Sequence, residues 1–136
     1  MANAVTINSK LINKGIQSLD RDKIADSAVT VSVFNMYSPL RARKINKKGY
    51  LDSFVPLIIF GDVNKLTCDR DSQGDSFFAD MSHSIVRSRA LANIDKGLLP
   101  QKWMGKKIIP IFNKNGCDID ESWQLDMSIR WIKDNL

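Results

Sequence analysis

The stretch VTVSVF at residues 29–34 decides the fold class. Its β-branched residues have restricted side-chain torsions that suit a pleated sheet, and its apolar residues alternate with polar ones. The wider segment 20–38 also carries apolar residues at helical spacing, which leaves an amphipathic helix as the alternative. We interpret residues 28–37 as a β-strand that ends before Ser38 and Pro39.

Three further apolar stretches predict additional strands. Residues 54–60 form a short run whose Pro56 lacks a backbone N–H and therefore belongs at a sheet edge or a bulge. Residues 107–112 form another, and the Asn-Gly pair at 115–116 predicts a tight turn after it. Residues 123–131 alternate strictly and are interpreted as a strand, although the apolar spacing there also fits a helix.

Residues 6–19 and 77–94 carry apolar side chains close to a 3.6-residue period and predict two helices. Fourteen of the fifteen acidic residues are aspartate, which is unfavourable inside helices and disfavours a helical bundle or a coiled coil. The combined pattern predicts an α+β fold in one small domain over residues 1–136. We expect an antiparallel sheet of about four strands with two helices.

Composition excludes several classes of protein. The chain has 136 residues, 43% of them hydrophobic and 26% charged, which suits a globular domain and excludes wholesale disorder. It has no apolar run of membrane-spanning length and no signal-peptide pattern, so we expect a cytoplasmic protein that does not bind membranes. Cys68 and Cys117 form no CxxC pair, which predicts reduced thiols and excludes a disulfide-rich or zinc scaffold.

Positive charge is concentrated in residues 41–48 and 102–114, which together contain nine Lys and Arg and no acid, in a chain of net charge +5. The first segment is interpreted as a loop over 40–49. Basic side chains neutralise phosphates, and aromatic rings next to them stack on unpaired bases. The alternative for such segments is a solvated surface that only keeps the protein soluble. We predict that these residues bind nucleic acid: Tyr37, Arg41, Arg43, Lys44, Lys47, Lys48, Tyr50, Lys102, Trp103, Lys106 and Lys107.

The sequence contains no recognisable catalytic motif. It has no Gly-x-Ser-x-Gly elbow, no pair of histidines at ligand spacing and no glycine-rich phosphate loop. His83 is the only histidine, and we interpret it as a surface or edge residue of the predicted helix 77–94. The leading hypothesis is therefore a non-enzymatic nucleic-acid-binding accessory protein without catalytic residues or cofactors, whose partner is DNA or RNA.

Asp69, Asp71 and Asp75 have the spacing of a calcium-binding loop. The loop departs from that pattern, because position five is Gln73 and position twelve is Asp80, where an EF-hand has a longer glutamate. We interpret the segment as an aspartate-rich polar turn and predict no metal site.

Trp123, Met127 and Trp131 make the C-terminal stretch rich in large apolar side chains. Core packing is the expected role of both tryptophans, since a small domain has few large side chains with which to fill its interior. The alternative hypothesis is a protein-interaction module, an inhibitor or an assembly subunit, that docks on an acidic protein through this Trp/Met face or through the basic loop. An edge strand at 123–131 would also allow pairing with a second copy of the chain in a homo-oligomer.

Overall fold

The computed structural model describes residues 4–69, 73–116 and 118–135. The chain folds into two compact units, the first made of residues 1–32 and 79–136 and the second of residues 33–78. The α+β class is confirmed, since the described ranges contain three α-helices and two separate sheets. A single domain over 1–136 stays a prediction.

Helix α1 is followed by four strands, and then by α2, β5 and α3, with short 3-10 turns in several of the connections. No helix in the described ranges is long and apolar enough to cross a membrane. The elements are α1 (Ser9–Arg21), β1 (Ser27–Val33), β2 (Arg43–Ile45), β3 (Leu51–Ser53), β4 (Phe77–Val86), α2 (Ser88–Ala92), β5 (Ile108–Phe112) and α3 (Ser122–Asn135).

Strand β1 is the centre of a three-stranded sheet with the order β4-β1-β5. Strand β4 runs antiparallel to β1, because Arg87 N donates to Asp26 O at one end and Phe34 N donates to Ser76 O at the other. Strand β5 is parallel to β1, so the sheet is mixed and differs from the antiparallel sheet of about four strands that we expected. The chain between β4 and β5 turns back through α2 and two 3-10 turns, which lets β5 enter the sheet from the same end as β1.

The hydrophobic core of the first unit lies between α1 and this sheet. Leu19 of α1 packs with the buried Ala25, Ala28 and Ile111. Asn8 begins the helix, since its side-chain oxygen accepts from Leu11 N at 3.0 Å. The predicted helix 6–19 and the strands predicted over 28–37 and 107–112 are confirmed in most of their length.

The helix predicted over 77–94 is wrong, because most of this segment is strand β4 and only the five residues of α2 are helical. Thr30 of the central strand explains part of the difference, since its hydroxyl bonds both the backbone N–H and the carbonyl of His83. Met81 has a φ of 58°, which is uncommon for a residue other than glycine. The buried positions of β4 are the polar residues Asp80 and Ser82, so the apolar residues of this segment do not show the period of two that identifies a strand in sequence, and their spacing resembled a helix.

The strand predicted over 123–131 is also wrong, because these residues lie in the helix α3. The side-chain oxygen of Gln124 accepts from the backbone N–H groups of Asp120 and Glu121, which satisfies donors where the helix begins. Asn115 has the left-handed φ of 55° that the turn prediction required, but the chain after this turn leads to a helix instead of a strand.

The buried strand predicted over 54–60 is the third error. Leu57–Phe60 form a 3-10 turn, and Ile58 and Ile59 are 67% and 63% exposed. Pro56 precedes the turn and cannot donate to a strand ladder, which disfavours sheet pairing here. The apolar run alone predicted a buried strand, but these residues are largely exposed in the second unit.

Candidate nucleic-acid interface

The first basic segment forms a hairpin in the second unit, where the sequence predicted a loop over 40–49. In the antiparallel pair β2–β3, Ile45 lies opposite Leu51. The side-chain oxygen of Asn46 accepts from the backbone N–H groups of Lys48 and Tyr50 at 3.0 and 3.1 Å, and this closes the turn. Gly49 has a φ of 85°, which favours glycine. Lys47 and Lys48 therefore lie at the tip of the hairpin.

The five basic side chains of this segment are all exposed, and we call them the hairpin cluster: Arg41, Arg43, Lys44, Lys47 and Lys48. Among the described residues, no carboxylate lies within ion-pair distance of any of them. Arg43 Nη1 donates to the carbonyls of Leu40 and Ala42, which orient the guanidinium without neutralising it. Lys44 lies opposite Asp52 across the hairpin, so its charge is the most offset of the five.

Two tyrosines of the second unit present exposed rings. Tyr50 adjoins the turn of the hairpin and is 70% exposed, and Tyr37 is 58% exposed. The Tyr37 ring also lies 6.3 Å from the ring of Phe34, measured between centroids, which restrains its orientation. Tyr50 is therefore the better placed of the two to stack on an unpaired base next to a phosphate contact.

The second basic segment belongs to the first unit and is folded against an acid. Lys102 and the half-buried Trp103 lie in a 3-10 turn, which leaves less of the indole accessible than the sequence suggested. Lys106 and Lys107 are exposed, but their backbone N–H groups both donate to Asp26 Oδ2, at 2.9 and 3.1 Å. The segment itself contains no acidic residue, but the fold places Asp26 directly against it.

These two backbone N–H groups hold the pKa of Asp26 below its ordinary value of 3.8, with the one from Lys106 contributing most. The guanidinium of Arg89, with Nε 3.5 Å from Asp26 Oδ1, lowers the pKa further. Gly105 makes this contact possible, because a Cβ there would lie 2.4 Å from Cβ of Asp26.

Asp26→Asn should make the protein less stable near pH 7 and should narrow that difference in acid. A carboxyl group whose pKa is lower in the folded state stabilises the fold above its unfolded pKa, and the contribution is lost as the pH falls through the folded pKa. Urea unfolding of both proteins between about pH 7 and pH 2 measures this. If the difference in unfolding free energy between the two proteins stays constant over this range, the lowered pKa of Asp26 is wrong.

A cavity of about 230 Å³ adjoins this segment in the first unit. Arg89, Lys96 and Lys106 line it together with Asp26. Sequence reasoning missed Lys96, because its neighbour Asp95 cancels its charge in any count along the chain. The cavity therefore places two cations from outside the segment, Arg89 and Lys96, beside Lys106.

The sequence also singled out an aspartate-rich turn, two cysteines and one histidine. Asp69 and Asp75 are exposed, whereas Asp71 lies outside the described residues, as does Cys117. The described part of the chain contains no group of three or more metal-ligating side chains. His83 lies in β4, and neither of its ring nitrogens has a hydrogen-bond partner within the described ranges.

Comparison of the chain with known protein families and with curated protein sequences finds no match. The charges, exposure and contacts of the chain's own residues are therefore what indicate its function.

Proposed function

We propose that this protein is a non-enzymatic accessory protein that binds nucleic acid through the hairpin cluster. The observation that carries the proposal is five exposed cations in one short hairpin and the residues directly before it, with no described carboxylate within ion-pair distance of any of them. Cations at this density attract a polyanion and release its counterions on binding.

The binding mode follows from the side chains that surround the cluster. Lysine and arginine contacts to phosphates position a strand without reading its sequence, so recognition is weakly sequence-specific and sensitive to salt. The exposed ring of Tyr50 supplies a stacking surface that only an unpaired base can use fully. The proposed ligand is therefore a single strand or a single-stranded part of a nucleic acid.

Replacing Lys44, Lys47 and Lys48 with glutamine should flatten the dependence of log affinity on log salt by about two to three units. Each lost phosphate contact removes about 0.7 of slope on a single strand and about 0.9 on a duplex. Fluorescence anisotropy with a labelled oligonucleotide, measured over a salt series, gives the slope for the wild type and the variant.

The matched control replaces Lys10, Lys14 and Lys133 with glutamine. These lysines are exposed on α1 and α3 of the first unit, and their loss changes the net charge by the same amount. We expect the slope of this control to stay close to that of the wild type. An equal loss in both variants would mean that overall charge, and not the hairpin, drives binding.

A protein-interaction module remains the second candidate because of helix α3. Trp123 and Met127 lie one helical turn apart and are 54% and 43% exposed, so they form an apolar surface at helical spacing. Large apolar side chains of this kind are enriched at the centres of protein interfaces. Under this hypothesis the partner is an acidic protein or a second copy of the chain, and loss of the Trp123 ring weakens that association.

A further inference from the structure

We propose that a cavity in the second unit accepts one unpaired nucleotide of the bound strand, with its base inside and its phosphate on Arg41 and Arg43. The inference rests on the proposed function. It adds that, besides the phosphates bound by the hairpin cluster, the second unit binds one base of the nucleic acid. Three features of the second unit support it: the size and lining of the cavity, a buried hydrogen-bond acceptor without a partner, and the two arginines.

The cavity has a volume of about 420 Å³, which lies in the range of about 300–1,000 Å³ that small-molecule pockets occupy. Leu40, Leu57, Val63 and Leu66 supply apolar side chains to its lining. A nucleobase has flat apolar faces and a polar edge, so apolar walls suit the faces and leave the edge in need of a polar partner.

Gln73 provides that polar partner. Its Nε2 donates to Thr67 O at 2.8 Å, which fixes the orientation of the side-chain amide. Its Oε1 is buried and has no hydrogen-bond partner among the described residues. A buried acceptor without a donor is unfavourable. Gln73 lines the cavity, and a shift of its side chain that turns Oε1 into the cavity would let an N–H group on the edge of a base satisfy this acceptor.

Arg41 and Arg43 line the same cavity and belong to the hairpin cluster. Arg41 Nη2 lies 3.4 Å from Cys68 O, and Arg43 Nη1 donates to Leu40 O at 2.9 Å. These neutral carbonyls orient both guanidinium groups and leave their charge available. Guanidinium groups bind phosphate oxygens bidentately, which suits the phosphate of a nucleotide whose base lies in the cavity.

A free nucleotide offers the same base and phosphate as a nucleotide within a strand. We favour a nucleic-acid strand over a free nucleotide, because the exposed Lys47 and Lys48 at the hairpin tip can bind further phosphates that a mononucleotide lacks. The second unit thus provides contacts for one base and for several consecutive phosphates.

Cys68 gives a direct measure of occupancy, because its exposed thiol lines the cavity. The rate of Cys68 alkylation by iodoacetamide, followed on its own peptide by mass spectrometry, should fall about fivefold or more when a single-stranded oligonucleotide saturates the protein. An abasic oligonucleotide of equal length and charge should bind through its phosphates and leave the rate within about twofold of the free protein.

Gln73→Met should weaken binding of the normal oligonucleotide about three- to tenfold and leave binding of the abasic one unchanged, since only the contact to the base is lost. Gln17→Met, at an exposed position of α1 in the first unit, is the control and should alter neither affinity. The comparison of normal and abasic strands uses the wild type, so it holds even if the Gln73 variant does not fold.

Each outcome separates the two proposals. Full-rate alkylation of Cys68 with a normal oligonucleotide bound would overturn the nucleotide cavity and leave the proposed function standing. Absence of any oligonucleotide binding would overturn both. If a nucleoside monophosphate at the same concentration protects Cys68 as well as the oligonucleotide does, the cavity binds free nucleotides, and the proposal that it binds a nucleotide within a nucleic-acid strand is wrong.

Discussion

Trp131→Ala is expected to lower the free energy of unfolding by about 3–5 kcal/mol, the usual cost of removing a large buried aromatic side chain. Trp131 is only 6% exposed, and its indole Nε1 donates to Lys114 O at 2.6 Å, so the substitution removes both packing and a hydrogen bond. Trp123→Ala should change the free energy of unfolding by less than about 1 kcal/mol, because that side chain is 54% exposed.

Urea denaturation of the two variants measures this difference, and the two substitutions control each other because both remove a tryptophan from α3. Sedimentation velocity of the same proteins shows whether either loses an oligomer. If Trp123→Ala lowers the free energy of unfolding as much as Trp131→Ala does, the exposed position of Trp123 is wrong. If Trp123→Ala stays stable and loses an oligomer of the wild type, the protein-interaction module gains over the nucleic-acid binder.

The sequence predicted both tryptophans in the core, and this is confirmed for Trp131 and wrong for Trp123. Alternation along 123–131 suggested that the two rings share one face of a strand. On a helix, eight residues leave the rings about 80° apart on neighbouring faces, a spacing that also allows both to enter one core, yet only Trp131 is buried. Periodicity could not decide between the two structures, because Gln124 begins the helix through side-chain contacts that no apolar pattern contains.

The central strand and the first helix were predictable because their residues agree with their structure locally. The β-branched run of β1 becomes the centre of the sheet, and the apolar stripe of α1 packs on it. Strand β4 was not predictable from its own residues, because its buried positions are the polar Asp80 and Ser82 and because pairing with β1 overrides its apparent helical period. Tertiary pairing is information that a single sequence does not display.

The candidate site likewise has one part that the local sequence predicts and another that depends on tertiary contacts. The hairpin cluster is contiguous in sequence, so a charge count along the chain finds it. The hydrogen bonds that Asp26 accepts from the backbone N–H groups of Lys106 and Lys107 join residues about 80 positions apart, and no local charge count reveals that this acid lies against the segment. Gln73 was read as a departure from a calcium loop, and its buried acceptor becomes visible only in the folded second unit.

The first unit also contains a buried polar network around Asp80 that the sequence did not suggest. Asp80 is 4% exposed and accepts from Ser32 Oγ at 2.8 Å and from Ser82 N at 3.1 Å. Ser32 Oγ also lies 3.0 Å from Asn113 O and accepts from Gly116 N at 2.8 Å. These bonds join β1 and β4 to the chain that follows β5.

The hydroxyl proton of Ser32 cannot serve Asp80 and Asn113 O fully at the same time, because a serine has one proton to donate. In Asp80→Asn the new amide N–H can donate to Ser32 Oγ, and the hydroxyl proton can then go to Asn113 O. The amide oxygen still accepts from Ser82 N. The asparagine variant therefore keeps these contacts and removes the charge, but its second amide N–H is a new donor at a buried position.

Asp80→Ala should accordingly lower the free energy of unfolding by about 2–4 kcal/mol, since it leaves the buried Ser82 N–H without its acceptor and opens a void beside Ser32. Asp80→Asn should lower it by about 1–2 kcal/mol, less than the alanine variant, because the hydrogen bonds of the network persist and only the second amide N–H is an added cost. Asp126→Ala, at an exposed position of α3, is the control for loss of one aspartate and should change stability by less than about 0.5 kcal/mol. Urea unfolding of the three variants measures these values, and an asparagine variant as unstable as the alanine variant would show that the network requires the carboxylate charge itself.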